Sequence, residues 1–293
     1  MASLRNAILA TLLALLSVPL AAQERRGFLY EACRDQRCLL LMGTIHVGRA
    51  EWYPLPAAQQ AKLDGATRIV LEADVSRLDA MNEALLRYGL YPPGPGLDAV
   101  LPSELRSRVE RAFKKAGIAP EQAWRMKPWL LASALALSDA GAAGLGTEAS
   151  SESWLRTQAR GRSIAELEGV LMQFRFFDSA PLEVQLAYLD ETLEAFDSGE
   201  QSKEFDRIAR AWESGDEDAL AELLEAMASE PGRGAKFAVE TLINARNLGM
   251  LEGIEREFGA GGLPLIAVGA LHLPGPQGLV SLLRSRGFSV KRI

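Results

Sequence analysis

Ala267-Val268-Gly269-Ala270-Leu271-His272 closes an apolar, β-branched run that begins at Leu263. It reads as a strand that stops at a glycine, with a histidine three residues further on. Leu41-Met42-Gly43-Thr44-Ile45-His46 repeats the pattern near the other end of the chain. These are the only two histidines among 293 residues, which include 26 glycines. By chance a histidine would follow a glycine at this spacing roughly 9% of the time, and both would do so on the order of 1% of the time. Two further short runs end in a carboxylate at the matching place: Arg68 to Ala73 (RIVLEA) with Glu72, and Arg162 to Glu168 (RSIAELE) with Glu168. Open α/β sheets gather ligands at the carboxyl ends of their strands, so four such ends can converge on one crevice.

Working outward, Phe28 to Leu41 predicts two short strands around a polar turn. Phe288 to Arg292 predicts a terminal strand behind a helix near Gly278 to Ser285. Helical spacing marks Ala57 to Leu63, then the steps of four through Leu101, Leu105, Val109 and Phe113, and the fours and threes from Leu182 to Phe196. Tyr91-Pro92-Pro93-Gly94-Pro95-Gly96 is the clearest breaker and opens the long helical stretch. Glu204 to Trp212, Glu217 to Met227 and Lys236 to Phe258 continue it. The expected fold class is α/β (α+β): one compact domain over residues 23–293, with a central mixed β-sheet from the N- and C-terminal thirds and a largely helical middle.

Composition narrows the function classes. The chain is 48% apolar and 24% charged, ordinary for a globular protein with a real core. Lys and Arg number 32 against 38 Asp and Glu, with no block of like charge, which argues against a nucleic-acid or anionic-membrane partner. HExxH, Gly-x-Ser-x-Gly and phosphate-loop motifs are absent, which argues against zincins, serine hydrolases and P-loop enzymes.

Met1 to Ala22 carries one positive charge at Arg5, an apolar run from Ala7 to Val18, and Pro19-Leu20-Ala21-Ala22 before a polar segment. This is the pattern of a secretory signal peptide cut near Ala22, with an apolar core shorter than the roughly 20 residues that span a bilayer. The mature chain is then periplasmic or secreted, with no membrane span. In an oxidising compartment Cys33 and Cys38 are expected to form a disulfide across the first hairpin, and their spacing is not that of a redox motif.

His46, His272 and one or two of Glu72 and Glu168 make a plausible donor set for a divalent transition ion, Mn, Co, Fe or Zn. The competing reading has the histidines merely capping strands and the glutamates buried and paired. On the helix from Lys236 to Phe258, Arg246 and Asn247 fall where the apolar stripe of Val239, Leu242, Ile243, Met250 and Ile254 should continue. A cation and an amide turned inward are costly unless partnered. Arg246 is expected to pair with Glu72 or Glu168, or else to clamp a substrate group.

At these residues the sequence resembles the TraB/GumN family, related to the Tiki metalloproteases. The matches are Gly43-Thr44-Ile45-His46, Tyr53-Pro54-Leu55, Glu72, Leu167-Glu168, Trp212-Glu213-Ser214-Gly215-Asp216, Arg246-Asn247 and Gly269-Ala270-Leu271-His272, in order over nearly the whole mature chain. Where the family often has Gly-x-Asp, this chain has Gly146-Thr147-Glu148. The resemblance implies a compact fold like that of erythromycin esterase and the ChaN-type haem-binding proteins. From the Tiki relatives it implies metal-dependent peptide cleavage through His46, His272 and Glu72, with Glu168, Arg246 and Asn247 as neighbours.

The reading that follows is an exported metal-dependent hydrolase acting on a peptide or other small substrate. In it His46, His272 and Glu72 hold the ion, a second glutamate is the general base, and Arg246 or Asn247 steadies the oxyanion. The alternative is a non-catalytic binding protein holding a peptide, a haem-like ligand or a metal in the same crevice.

Overall fold

The computed structural model describes residues 26–293. The segment read as a signal peptide lies outside the described residues. Strands β1 (Phe28–Arg34), β2 (Arg37–Thr44), β3 (Arg68–Leu71), β4 (Ile164–Glu166), β5 (Pro264–Gly269) and β6 (Ser289–Arg292) form a single sheet in the order β4-β3-β5-β2-β1-β6. β4, β3, β5 and β2 are parallel, and β1 is antiparallel to both β2 and β6. The expected mixed sheet is therefore present. Its parallel half reads as unbroken apolar sequence because both faces are covered: Leu39–Met42, Ile69–Leu71 and Leu265–Val268 are almost fully buried. Each such side chain stabilises the fold by about 1.5–3 kcal/mol relative to exposure.

The α-helices of five or more residues are, in chain order, α1 (Ala57–Asp64), α2 (Leu78–Ala84), α3 (Ser103–Ala116), α4 (Pro128–Ala142), α5 (Ser151–Thr157), α6 (Val170–Asp178), α7 (Leu182–Ser198), α8 (Glu200–Ser214), α9 (Glu217–Ser229), α10 (Arg233–Phe237), α11 (Ala245–Gly259) and α12 (Leu279–Ser285). The middle of the chain builds a second core from Val109, Phe113, Leu131, Leu135, Leu189 and Phe196, where α4 packs on α7. Helix α2, which runs into π-helical turns over Leu85–Gly89, lies in a stretch to which the sequence assigned no element. The helix expected from Lys236 to Phe258 is interrupted by π-helical turns over Ala238–Asn244. Such turns shift helical phase, and these sit just ahead of Arg246 and Asn247.

Cys33 and Cys38 face each other across the β1–β2 turn and are disulfide-bonded, a pairing suited to an oxidising compartment. The Trp212–Asp216 motif is structural. Trp212 Nε1 donates to Gly43 O at 2.9 Å, fixing the end of β2, while Gly215 (φ 64°) ends α8 and Asp216 caps α9. Among the described residues no helix is long and apolar enough to cross a membrane.

Candidate functional site

Parallel register aligns the strand ends. Thr44 lies beside Gly269, and Leu71 lies beside Ala267 on one side and Glu166 on the other. The residues that follow the four parallel strands therefore emerge along one edge of the sheet. A Cβ placed on Gly269 would stand 3.4 Å from His272 Cδ2, 3.5 Å from Glu72 Oε2 and 3.8 Å from His46 Nε2. The two histidines and Glu72 thus share one small space, kept open because residue 269 has no side chain.

His272 is buried, and its Nδ1 lies 2.6 Å from Asn247 Oδ1. Asn247 Nδ2 donates to Gln277 O at 2.8 Å, which fixes the amide with its oxygen toward the ring. Nδ1 therefore carries the proton, and Nε2, 3.9 Å from Glu72 Oε2, keeps its lone pair. Burial lowers this histidine to about 4; the charge of Glu72 opposes it, while those of Arg246 and His46 add to it.

His46 is arranged differently. Its side chain is 66% exposed, and Nδ1 stands 3.0 Å from Oε1 of Glu152, whose own side chain is 8% exposed. The charge of Glu152 raises the pKa of His46 above its ordinary value. Glu152 lies in the first turn of α5, capped by Ser150, which accepts from Ser153 N.

Glu72 accepts from Gly269 N at 2.8 Å, from Gln173 Nε2 at 2.7 Å, and from Arg246 Nη2. Burial pushes this carboxyl up, but the positive charges of His272 when protonated, of Arg246 and of His46 outweigh it and hold Glu72 at about 2. Arg246 also donates from Nη2 to Glu168 Oε2 at 2.6 Å, from Nε to both Glu168 oxygens, and from Nη1 to Leu242 O at 2.9 Å. One guanidinium thus answers two buried carboxylates. Glu168 is left with a raised pKa, chiefly from burial and partly offset by Arg246.

The structure therefore gathers all six sequence-selected residues, His46, Glu72, Glu168, Arg246, Asn247 and His272, at one sheet edge. Arg246 and Asn247 face inward at 7% and 1% exposure, as the interrupted stripe predicted. Arg246 pairs with both glutamates rather than one. Among the described residues no three histidine, cysteine or carboxylate side chains stand close enough to grip an ion as they are placed. Two contributors escaped the sequence reading. Gln173, on α6, left no signal at all. Glu152 left only a weak one, an acid two residues after a Ser at a helix start, whereas the acid at the family's Gly-x-Asp position is Glu148. That residue is exposed, its carboxylate folded against Gly146.

Beside His46 a cavity of about 510 Å³ opens between the Gly48–Tyr53 loop and α5. Tyr53 and Trp154 stack in its wall at 4.7 Å, and Tyr53 is anchored through its hydroxyl to Ser151 Oγ at 3.1 Å. Tyr53 of the Tyr53-Pro54-Leu55 motif thus supplies part of the wall of a cleft that begins at Gly48, two residues after His46.

Comparison with known proteins gives the chain its relatives. Two relatives, each named uncharacterized protein YbaP, from Escherichia coli (strain K12) and from Shigella flexneri, are 26% identical to the chain over 246 residues. The match covers 83% of this chain and 87% of each relative. No solved structure matches. The model of the TraB/PrgY/gumN family matches residues 28–292, from the first strand to the last, and so takes in both Gly-x-x-His strand ends; the chain belongs to that family.

Proposed function

We propose that the chain is an exported metal-dependent hydrolase of peptide-like substrates, with its site at the edge of the parallel strands. The observation that carries this reading is the shared space at Gly269. Two imidazoles and a carboxylate border it; Nδ1 of His272 is hydrogen-bonded to Asn247, and Nδ1 of His46 lies 3.0 Å from a Glu152 oxygen. Histidine ligands are commonly held this way, with the second nitrogen tied to a carboxylate or carbonyl oxygen. The donor chemistry fits a borderline ion: His46 Nε2, His272 Nε2 and the Oε2 of Glu72 would hold Mn, Co, Fe or Zn. A closing movement of the donors would be needed, since His272 Nε2 and Glu72 Oε2 stand 3.9 Å apart and the three groups do not yet form a cluster tight enough for an ion. Bound there, the ion would supply a water acidified toward neutrality.

The chain's own groups take the remaining roles. Arg246 keeps Glu72 ionised and oriented, Asn247 keeps the proton of His272 on Nδ1, and Gln173 fixes the second oxygen of Glu72. Glu168 is the candidate proton acceptor, because a carboxylate with a raised pKa is better matched to work near neutral pH. Arg246 or Asn247 would reach an oxyanion only by giving up one of its present bonds. The cavity beside His46 offers an aromatic wall for a substrate side chain.

The test is ion content by mass spectrometry on protein from residue 23 purified without chelator, beside its His272→Ala variant, followed by a peptide-library digest with and without chelator. About one equivalent of ion, lost in the variant, together with chelator-sensitive cleavage is the expected result. Ion without cleavage would leave the binding-protein alternative standing. No ion in either protein after reconstitution with Mn, Co and Zn would overturn the proposal.

A further inference from the structure

Glu152 is a buried acid beside the site that neither the sequence motifs nor the proposed chemistry accounts for. Its oxygens accept no well-formed hydrogen bond, although the Thr44 hydroxyl, itself without another partner, interacts with them; this is uncommon for a buried carboxylate and calls for an explanation. The nearest cationic group is His46 Nδ1 at 3.0 Å. The chain also holds this acid in register with the His46 loop. Ile45 N donates to Ser151 Oγ at 3.0 Å, and Ser151 N donates back to Ile45 O at 3.0 Å. The residue before His46 is thus tied on two sides to the residue before Glu152. Tyr53 adds a third tie through the same Ser151 hydroxyl. Such stitching is unnecessary for an exposed loop histidine with no work to do.

We propose that Glu152 is the positioning residue of His46: its carboxylate engages Nδ1 and thereby presents Nε2 to the space at Gly269. The Asn247–His272 pair does the same for the other ring, so each Gly-x-x-His histidine has its own orienting partner, one charged and one neutral. An imidazole free in water prefers its proton on Nε2, and only an acceptor at Nδ1 reverses that choice. Glu152 in this role leaves Nε2 as the lone-pair nitrogen. The ligand duty of that nitrogen rests on the reading given under Proposed function, whereas the orientation itself does not.

The two rings make the test direct, because a long-range proton–nitrogen NMR spectrum of the chain contains two imidazole patterns. It is recorded on ion-free protein at alkaline pH, where both rings are neutral, for wild type, Glu152→Ala and Glu152→Gln. The expected result is Nδ1–H for His46 in wild type and in Glu152→Gln, whose amide oxygen still accepts, and Nε2–H in Glu152→Ala. His272 should keep Nδ1–H in all three. Titration with Zn follows, with a 10–100-fold loss of affinity expected for Glu152→Ala and near wild-type affinity for Glu152→Gln. Wild-type His46 with its proton on Nε2, or Nδ1–H retained in Glu152→Ala, would overturn the proposal. If the tautomers behave as expected but wild type takes up no ion, the hydrolase reading fails while the positioning role of Glu152 stands. Should Glu152→Ala not fold, the wild-type and Glu152→Gln spectra still decide, since Nε2–H in both would overturn it.

Discussion

The two histidines share a four-residue motif and follow neighbouring parallel strands, yet they occupy opposite environments. His272 is buried against a neutral amide, whereas His46 stands mostly in water against a buried carboxylate. Burial lowers the pKa of the first to about 4, and the Glu152 charge raises that of the second. The motif thus sets where each ring emerges, while residues far away in sequence, Asn247 and Glu152, set its proton. The His272 half is a closed network in which Arg246, Glu72, Glu168, Asn247 and Gln277 support one another, and the His46 half is an open rim beside a cavity. Disturbance should therefore cost stability on one side and chiefly chemistry on the other.

The largest effect is expected from Arg246→Met. It leaves Glu72 and Glu168 buried without their counter-ion, and breaking such a pair from one side destabilises by about 3–5 kcal/mol. Urea denaturation followed by tryptophan fluorescence measures this, and adding Glu72→Gln and Glu168→Gln should restore part of the loss. A cost below about 1 kcal/mol would mean that the network opens to water, and the contrast between the halves would collapse. Next comes Asn247→Ala, which strands His272 Nδ1 and Gln277 O together. Leaving the buried imidazole nitrogen unpaired costs about 1–3 kcal/mol, while Gln277 is exposed and its carbonyl can turn to water, so a loss in that range is expected in the same assay.

Much of this arrangement was legible in the sequence, for identifiable reasons. The parallel strands are short apolar runs ended by Gly-x-x-His or by a glutamate, so they could be placed, and with them His46, Glu72, Glu168 and His272. The inward turn of Arg246 and Asn247 showed as a break in helical periodicity, because burying such groups is tolerated only with partners. What stayed hidden depends on long-range contact. Glu152 meets a residue 106 positions away and lies on a short helix of mixed composition, where an acid in the first turn is unremarkable. The π-helical turns over Ala238–Asn244 add no residue type that differs from ordinary helix, and α2, at seven residues, is too short to show a helical period. That one guanidinium serves two glutamates follows from sheet register, which pairs β3 with both β4 and β5, and not from any local pattern.

The pH dependence of stability sharpens the comparison, because the two rings should tilt it in opposite directions. His272 has its folded pKa below the usual 6.5, so protonation disfavours the fold. Its cost should therefore grow as pH falls from about 6.5 toward 4, and His272→Gln should flatten that part of the profile. His46 has its folded pKa raised, so its favourable contribution is fully present below 6.5 and fades as pH rises through the folded value. His46→Gln should therefore remove a decline on the alkaline side, a smaller one because water screens an exposed ring. Thermal melts of ion-free protein from pH 4 to pH 10 measure both slopes, and slopes of the same sign would refute the assignment of the two environments.

The smallest stability effect is expected from His46→Ala, and it is the most informative. The ring is two-thirds exposed and forms the outer cover of Glu152, so its removal admits water to the carboxylate instead of leaving a dry, unpaired charge. The expected change is within about 1 kcal/mol, in the range of an ordinary surface substitution. Ion uptake should nevertheless fall as far as in His272→Ala, because an ion at Gly269 needs a nitrogen from each side of that space. A variant that keeps its melting temperature and loses its ion would separate structure from chemistry at a single residue, which no substitution in the closed half can do. If His46→Ala keeps the ion and His272→Ala loses it, the site belongs to the buried half alone, and the open rim with its cavity is left to bind substrate.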